Sequence, residues 1–400
     1  MGKRRRVAPE LLLLSGAFFF IFLGPGSIQQ HLDKILGDKR FYVLATVYLS
    51  FCFWRVFIGL TIRVLGEFLS ELLGAATYVG FAAVLLCSRS WPVVIVAAAV
   101  WGWGACSFWI TSQAQVLDAT QRHGVSSGVL YTLVAVGQVV GVGLLALLAA
   151  RVEPPAGWDV THVLLGTCVV LGLPGLVLIC LVPRRAAPPR SFSLSAFWAI
   201  ARQRPVVLVG VLQFLAALSY GILLGVFSEL ARATTGGQVP AIAYYAARVP
   251  LVLPAAALGD RIGRGRVLKL SFLLAAGGIL VGALWRSSPG ISLAICAAAM
   301  AAQNLLVASN TMALMGDVAR SGQRHLALGA AFLWRDLGVA IPLFVAGALK
   351  GFLPDAGDAA SVAAVFRWAL FGFAGVFVVS ALLCDVLRRA VERHQAESRG

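Results

Sequence analysis

The chain has 400 residues, of which 60% are hydrophobic and 12% charged, with a formal net charge of +16 and a mean hydropathy of +0.87. Charged residues are about half as frequent as in a soluble globular domain, which excludes a water-soluble fold. Long unbroken apolar runs, rather than short alternating strands, exclude a transmembrane barrel and leave helices that satisfy their own backbone in lipid.

The first apolar run, 11–30, follows the basic stretch 3–6 and continues through Gly24-Pro25-Gly26 without an Ala-x-Ala cleavage signal, so it reads as a membrane helix and not a leader. Runs at 41–62, 72–86, 91–117, 128–149 and 160–182 complete a first set of six. A second set follows at 206–227, 241–258, 267–285, 291–315, 326–349 and 363–387. The predicted fold is therefore an all-α polytopic membrane protein with twelve transmembrane helices in two six-helix halves, 1–182 and 206–400. A basic linker joins them at 183–205. Phe192, Leu194, Phe197, Trp198 and Ile200 in that linker are expected to form a short helix on the membrane surface.

Basic residues fix the expected orientation. Both termini and the connections between even and odd helices hold about 21 of the Lys and Arg, against about 8 in the opposite loops. The heavier side is the cytoplasmic one, so both termini are expected there. The positive charge thus reflects topology and contact with anionic lipid headgroups, and nucleic acid is not an expected partner. The seven cysteines lie in or beside apolar runs without C-x-x-C spacing, and the five histidines form no ligand cluster. No metal or other cofactor is expected.

An internal repeat supports the two halves. Placing Arg55 on Arg248 also places Gly66 on Gly259 and Glu67 on Asp260. Gly128, Gly137 and Gly141 likewise match Gly329, Gly338 and Pro342.

The segment Leu258-Gly-Asp-Arg-Ile-Gly-Arg-Gly-Arg266 resembles the Gly-x-x-x-Asp-Arg-x-Gly-Arg-Arg loop of the major facilitator superfamily of secondary transporters. It departs from that pattern at Ala256 and Gly265, and the corresponding stretch 66–71 keeps Gly66 and Glu67 but lacks the basic residues. Phe18 to Gln30 and Trp109 to Leu117 resemble, more narrowly, a branch that includes channel-regulatory and receptor-trafficking membrane proteins beside bacterial transporters.

The superfamily resemblance implies alternating access to a cavity lined by helices one, four, seven and ten. Polar candidates there are Gln29, Gln30, Trp109, Gln113, Gln213, Tyr220, Gln303, Asn304 and Asn310. Several pairs recur at i,i+4 or i,i+7 and so share a helix face, although packing between helices uses the same residue types. No Lys or Arg cluster is evident beside these stripes, which favours a neutral or amphipathic organic solute.

Charges within spans are costly, about 2.5–3.5 kcal/mol or more each, so Arg55, Arg248, Arg335 and Asp336 need partners. Arg335 and Asp336 point about 100° apart on a helix and are not expected to satisfy one another. The resemblance implies that helices two and eleven meet, which would pair Arg55 with Asp336 as a gate. Pairing of Asp336 with Arg248 within one half is the alternative. Asp336 is also a candidate proton carrier. Arg55, Arg248, Arg335, Asp336, Glu67, Asp260, Arg261 and Arg264 form the gating and coupling candidates.

The expected function is secondary transport of a small solute by a monomer in a bacterial inner membrane, with protons as the coupling ion. A transporter-shaped regulatory or trafficking subunit is the alternative, and an enzyme is not expected.

Overall fold

The computed structural model describes residues 8–183, 193–224, 239–284, 288–319, 323–352 and 359–397. Thirteen α-helices are described: α1 (Pro9–Leu23), α2 (Leu32–Leu36), α3 (Arg40–Cys87), α4 (Trp91–Ala119), α5 (His123–Arg151), α6 (Val160–Cys180), α7 (Leu194–Ala201), α8 (Arg204–Ile222), α9 (Val239–Ile262), α10 (Arg264–Leu284), α11 (Pro289–Val318), α12 (Arg324–Phe352) and α13 (Ala359–Glu397).

Punctuation by proline and glycine sets many of these bounds. Proline stands in the first turn of α1, α4, α8 and α11, where its missing N–H was never going to find an intrahelical acceptor. Gly24 ends α1, and a 3₁₀ turn at Pro25–His31 follows. Asp159 caps α6 by accepting the backbone N–H of His162 at 2.8 Å. That hydrogen bond, with help from the His162 side chain and Arg89, holds the Asp159 carboxyl below the usual carboxylate range. The cap is therefore intact above the ordinary aspartate pKa and is lost only as pH falls through the lowered one.

Nine continuous helical stretches among the described residues are long and apolar enough to cross a membrane, and the chain is an integral, multi-pass membrane protein. The first stretch, Pro9–Cys87, takes in α1 and both limbs of α3. Within α9 only a shorter apolar segment, Ile242–Val252, is present. Pro250 and Pro254 interrupt the backbone bonds of that helix.

The loop expected between the second and third spans is reduced to a single residue. Gly66 sits at φ 76°, ψ 169° and breaks α3 into two limbs. No atom lies within 4 Å of where its Cβ would be, so the requirement for glycine is torsional, not steric. The repeat register pairs Gly66 with Gly259, yet the equivalent turn is made by Gly263, at φ 94° between α9 and α10. Gly259 is needed for space instead, because a Cβ there would strike the Asn310 side chain.

Helices before the linker pack mainly on one another, and so do those after it. α1 lies on α5 and α6, α3 on α4, α8 on α12, and α11 on α9 and α10. The most extensive contacts between the segments are α3 with α12 and α5 with α9, and α5 also meets α11. Glycines let backbones close up within each segment. A Cβ at Gly137 would lie 2.5 Å from the Phe19 carbonyl oxygen, and one at Gly221 would lie 2.6 Å from that of Val339.

Of the expected linker helix, α7 is present, capped by Ser193. Phe197 and Ile200 are buried, and α7 packs against α12, while Leu194 and Trp198 remain exposed. Residues 184–192, with Arg184, Arg185, Arg190 and Phe192, fall outside the described residues.

Candidate functional site

A cavity lies at the centre of the bundle, with about 60 Å³ open to the centre of a water molecule, room for a few waters. Both chain segments build it. Phe22 of α1 and Gln29 of the 3₁₀ turn face it, as do Tyr48 and Tyr78 from the two limbs of α3, Trp109 of α4, and Tyr131 and Gln138 of α5. Tyr220 of α8, Arg248 of α9, Asn304 of α11 and Arg335 with Asp336 of α12 complete the opposite side.

Hydrogen bonds fix much of this wall. The Gln29 Oε1 accepts from the hydroxyl of Tyr48 at 2.9 Å and from that of Tyr220 at 3.3 Å, joining the two segments. Trp109 donates its indole N–H to the Tyr78 hydroxyl at 3.1 Å. Its ring packs among Phe18, Phe22 and Tyr131, with centroids 4.5–5.7 Å apart. Arg248 donates from Nη1 to the Gln138 Oε1 at 2.5 Å, another link across the segments, and stands over the faces of Tyr244 and Tyr245. Such rings tolerate a buried guanidinium because their faces carry negative quadrupole density.

Among the sequence candidates, Gln29, Trp109, Tyr220, Asn304, Arg248, Arg335 and Asp336 line the cavity. The others are turned into helix contacts. Gln30 bonds the Tyr245 hydroxyl at 2.5 Å, and Gln113 bonds that of Tyr131 at 2.9 Å from behind the wall. Gln213 reaches Thr311, Gln303 accepts from Ser219 at 3.3 Å, and Asn310 bonds the carbonyl of Leu306 at 3.0 Å. Glu67 opens the second limb of α3 and does not line the cavity. Sequence reasoning misses Tyr48, Tyr78, Tyr131 and Gln138. Tyr131 and Gln138 stand seven residues apart on α5 and share a face, a signal that could have found them, whereas Tyr48 and Tyr78 are aromatic rings in apolar runs that read as packing.

One expectation about the wall is overturned. The neutral-solute reading rested on a lining without cationic groups, but Arg248 and Arg335 both reach the cavity. Spacing along one helix shows which residues share a face. It does not show that faces of α9 and α12 converge on the stripes of α4, α8 and α11.

Arg55 of α3 forms an ion pair with Asp336 of α12, the two side chains being 1% and 3% exposed. Asp336 therefore turns across the segment boundary and not to Arg248, resolving the two pairings left open by the sequence. Arg55 also lies over Phe51 and Phe332, 4.3 and 5.6 Å from their centroids.

A second polar cluster ties the segments together where α4, α9 and α11 end and α5, α10 and α12 begin. Arg324 donates to the Asp118 Oδ1 at 2.6 Å and to the Leu117 carbonyl at 2.8 Å. His123 contacts Asp317 at 2.9 Å, and Arg264 bridges Asp317 and Asp260 at 2.7 and 2.8 Å. Gly124 allows the Asp260 carboxylate to sit against the first turn of α5, where the helix dipole favours an anion. Thus Asp260 and Arg264 of the sequence motif are joined in the cluster, while Arg261 is exposed beside it. A crevice of about 400 Å³ on the outer face of this cluster is lined by Arg266, Arg388 and Glu392 and lies apart from the central cavity.

A polar cavity at the meeting point of two packed helical segments, bounded by α3 with α12 and α5 with α9, defines the class: the chain has the major facilitator fold. Among solved structures it is similar to a variant of the E. coli fucose:proton symporter FucP, with a TM-score of 0.70 and 15% identity over 94% of this chain and 98% of that one. The same symporter in its outward conformation gives 0.67 and 17%, with the same coverage. The human organic anion transporter TETRAN gives 0.68 and 17%, over 96% of this chain and all of that one. By sequence, no family model and no curated protein matches the chain.

Proposed function

We propose that this protein is a secondary transporter that moves a small organic solute by alternating access. The observation that carries the reading is the central cavity, whose polar wall is contributed by both segments across the α3–α12 and α5–α9 contacts. If the segments rock about those contacts, the cavity opens alternately to the two sides of the membrane. The Lys and Arg distribution supports cytoplasmic termini.

Asp336 is the one carboxylate among the described residues lining the cavity, which supports a coupling role for protons. Protonation would remove its attraction for Arg55 and loosen the contact between α3 and α12. The cluster around Asp317 and Arg324 is the proposed latch that closes one side.

Uptake of a radiolabelled solute panel into proteoliposomes, with and without an imposed pH gradient, tests the reading. Accumulation that follows the gradient is expected, and absence of any flux across the panel would overturn it. Removing the latch makes a separate expectation. Arg324→Ala should slow uptake about tenfold, a change of ~1.4 kcal/mol, while hydrogen exchange quickens at 116–126, 314–319 and 323–326. Unchanged exchange in those segments would remove the latch from the mechanism.

A further inference from the structure

Two guanidinium groups face the cavity without an acid to balance them. Arg335 makes no hydrogen bond and no ion pair among the described residues: it lies 5.9 Å from the Trp109 ring centroid, and Asp336 attracts it only through space. Arg248 has one neutral acceptor, the Gln138 amide oxygen, and its buried Nε has none. The neighbouring carboxylate, Asp336, is consumed by Arg55. Among these four ionised groups the positive charge exceeds the negative by two.

Such an excess inside a membrane is unfavourable unless something supplies the opposite charge. No further acid in the described wall supplies it, which leaves a place for an anion from outside. A guanidinium offers a planar fork that matches a carboxylate with two parallel hydrogen bonds, and it does so best where water is scarce. The remainder of the wall is aromatic: Trp109, Tyr131, Tyr78 and Phe22 present ring surface suited to a flat or apolar body. Phosphate esters, with more charge and a stronger hydration shell, fit this small, ring-lined space less well than a monocarboxylate.

We propose that the transported solute is a small organic monocarboxylate, held at its carboxylate by Arg335, with Arg248 supplying the second positive charge and the Trp109 wall receiving its body. This rests on the transporter reading of the cavity and specifies its substrate class.

The test uses the full chain purified in detergent and a panel of matched pairs, 4-hydroxybenzoate with 4-hydroxybenzamide and hexanoate with hexanamide, together with inorganic phosphate. The carboxylates are expected to raise the melting temperature and the amides are not, because only the native state offers the site. Arg335→Gln should weaken carboxylate binding at least tenfold, with Arg335→Lys recovering part of it. The ligand-free Arg335→Gln protein should melt no lower than the parent, since the change removes an uncompensated charge.

Equal shifts from acids and amides, no shift from any carboxylate, or a shift that survives Arg335→Gln would overturn the inference. A response to phosphate alone would overturn it as well, replacing the carboxylate with a phosphate ligand. Proteoliposome flux separates this from the function itself. Arg335-dependent binding without flux would keep the anion site and remove the transport reading, whereas amide flux that is indifferent to Arg335→Gln would do the reverse.

Discussion

Asp336→Asn is expected to cost about 3–5 kcal/mol of stability and to abolish transport, the largest effect of any single polar change in this chain. The reason lies in what is left behind. Arg55 is 1% exposed, held between the rings of Phe51 and Phe332, with Asp336 as its acid and an Nη1 that already lacks an acceptor. Neutralising the acid strands a buried guanidinium, and Asn offers it only one carbonyl oxygen. Two further variants separate folding from function. The exchange Arg55→Asp with Asp336→Arg restores an ion pair between α3 and α12, so part of the stability and of the uptake should return. Replacing both by apolar residues, Arg55→Met with Asp336→Leu, should restore stability, since a well-packed apolar pair commonly matches a buried ion pair. Melting temperature and proteoliposome uptake measured on the same preparations check this. Should the apolar pair transport at the parental rate, the ion pair would be a packing feature and Asp336 could not be the proton carrier.

Gly141→Val and Gly338→Val should each destabilise the fold by about 1–3 kcal/mol or more and deplete the monodisperse peak in size-exclusion chromatography. At Gly141 a Cβ would collide with the Leu23 carbonyl oxygen and the Ser27 hydroxyl, driving α5 off the end of α1. At Gly338 it would collide with the Phe214 carbonyl oxygen, driving α12 off α8. The atoms struck are largely backbone, so no rotamer change relieves the overlap. Gly143→Val is the matched control: its Cβ would meet nothing within 4 Å, and a neutral result is expected. If all three behaved alike, the loss would reflect the helix propensity of valine and not close approach of backbones.

These glycines also show how far the sequence could be read. Gly137 and Gly338 occupy corresponding positions in the fifth and eleventh runs, and the structure gives both the same work, closing a helix pair within its own segment. Apolar runs longer than about 20 residues fixed the class of element, because lipid leaves the backbone few other choices. Register was less legible. Gly66 and Gly259 match in sequence, yet Gly66 makes a turn and Gly259 makes room for Asn310, a distinction carried by backbone torsion that residue identity does not encode.

The cavity was legible only in part. Gln29, Trp109, Tyr220 and Asn304 reach it, whereas Gln113, Gln213, Gln303 and Asn310 are spent on helix packing behind it. A polar side chain in an apolar run has two ways to be satisfied, a partner helix or a polar void, and one sequence does not separate them. The Arg55–Asp336 pair was foreseeable for the opposite reason: buried charges have very few acceptable partners.

The unbalanced arginines bear on how this protein would respond to a voltage. Fixed charges at a site that changes its side of exposure sense a change in the membrane field, at ~2.3 kcal/mol per elementary charge per 100 mV if they traverse all of it. With Arg248 and Arg335 at the cavity wall, the empty form presents a positive site to that field, and a bound monoanion cancels part of it. On the proposed alternating-access reading, reorientation of the empty protein is the more voltage-sensitive half of the cycle, and the membrane potential as well as solute concentration would set how often the site faces each side.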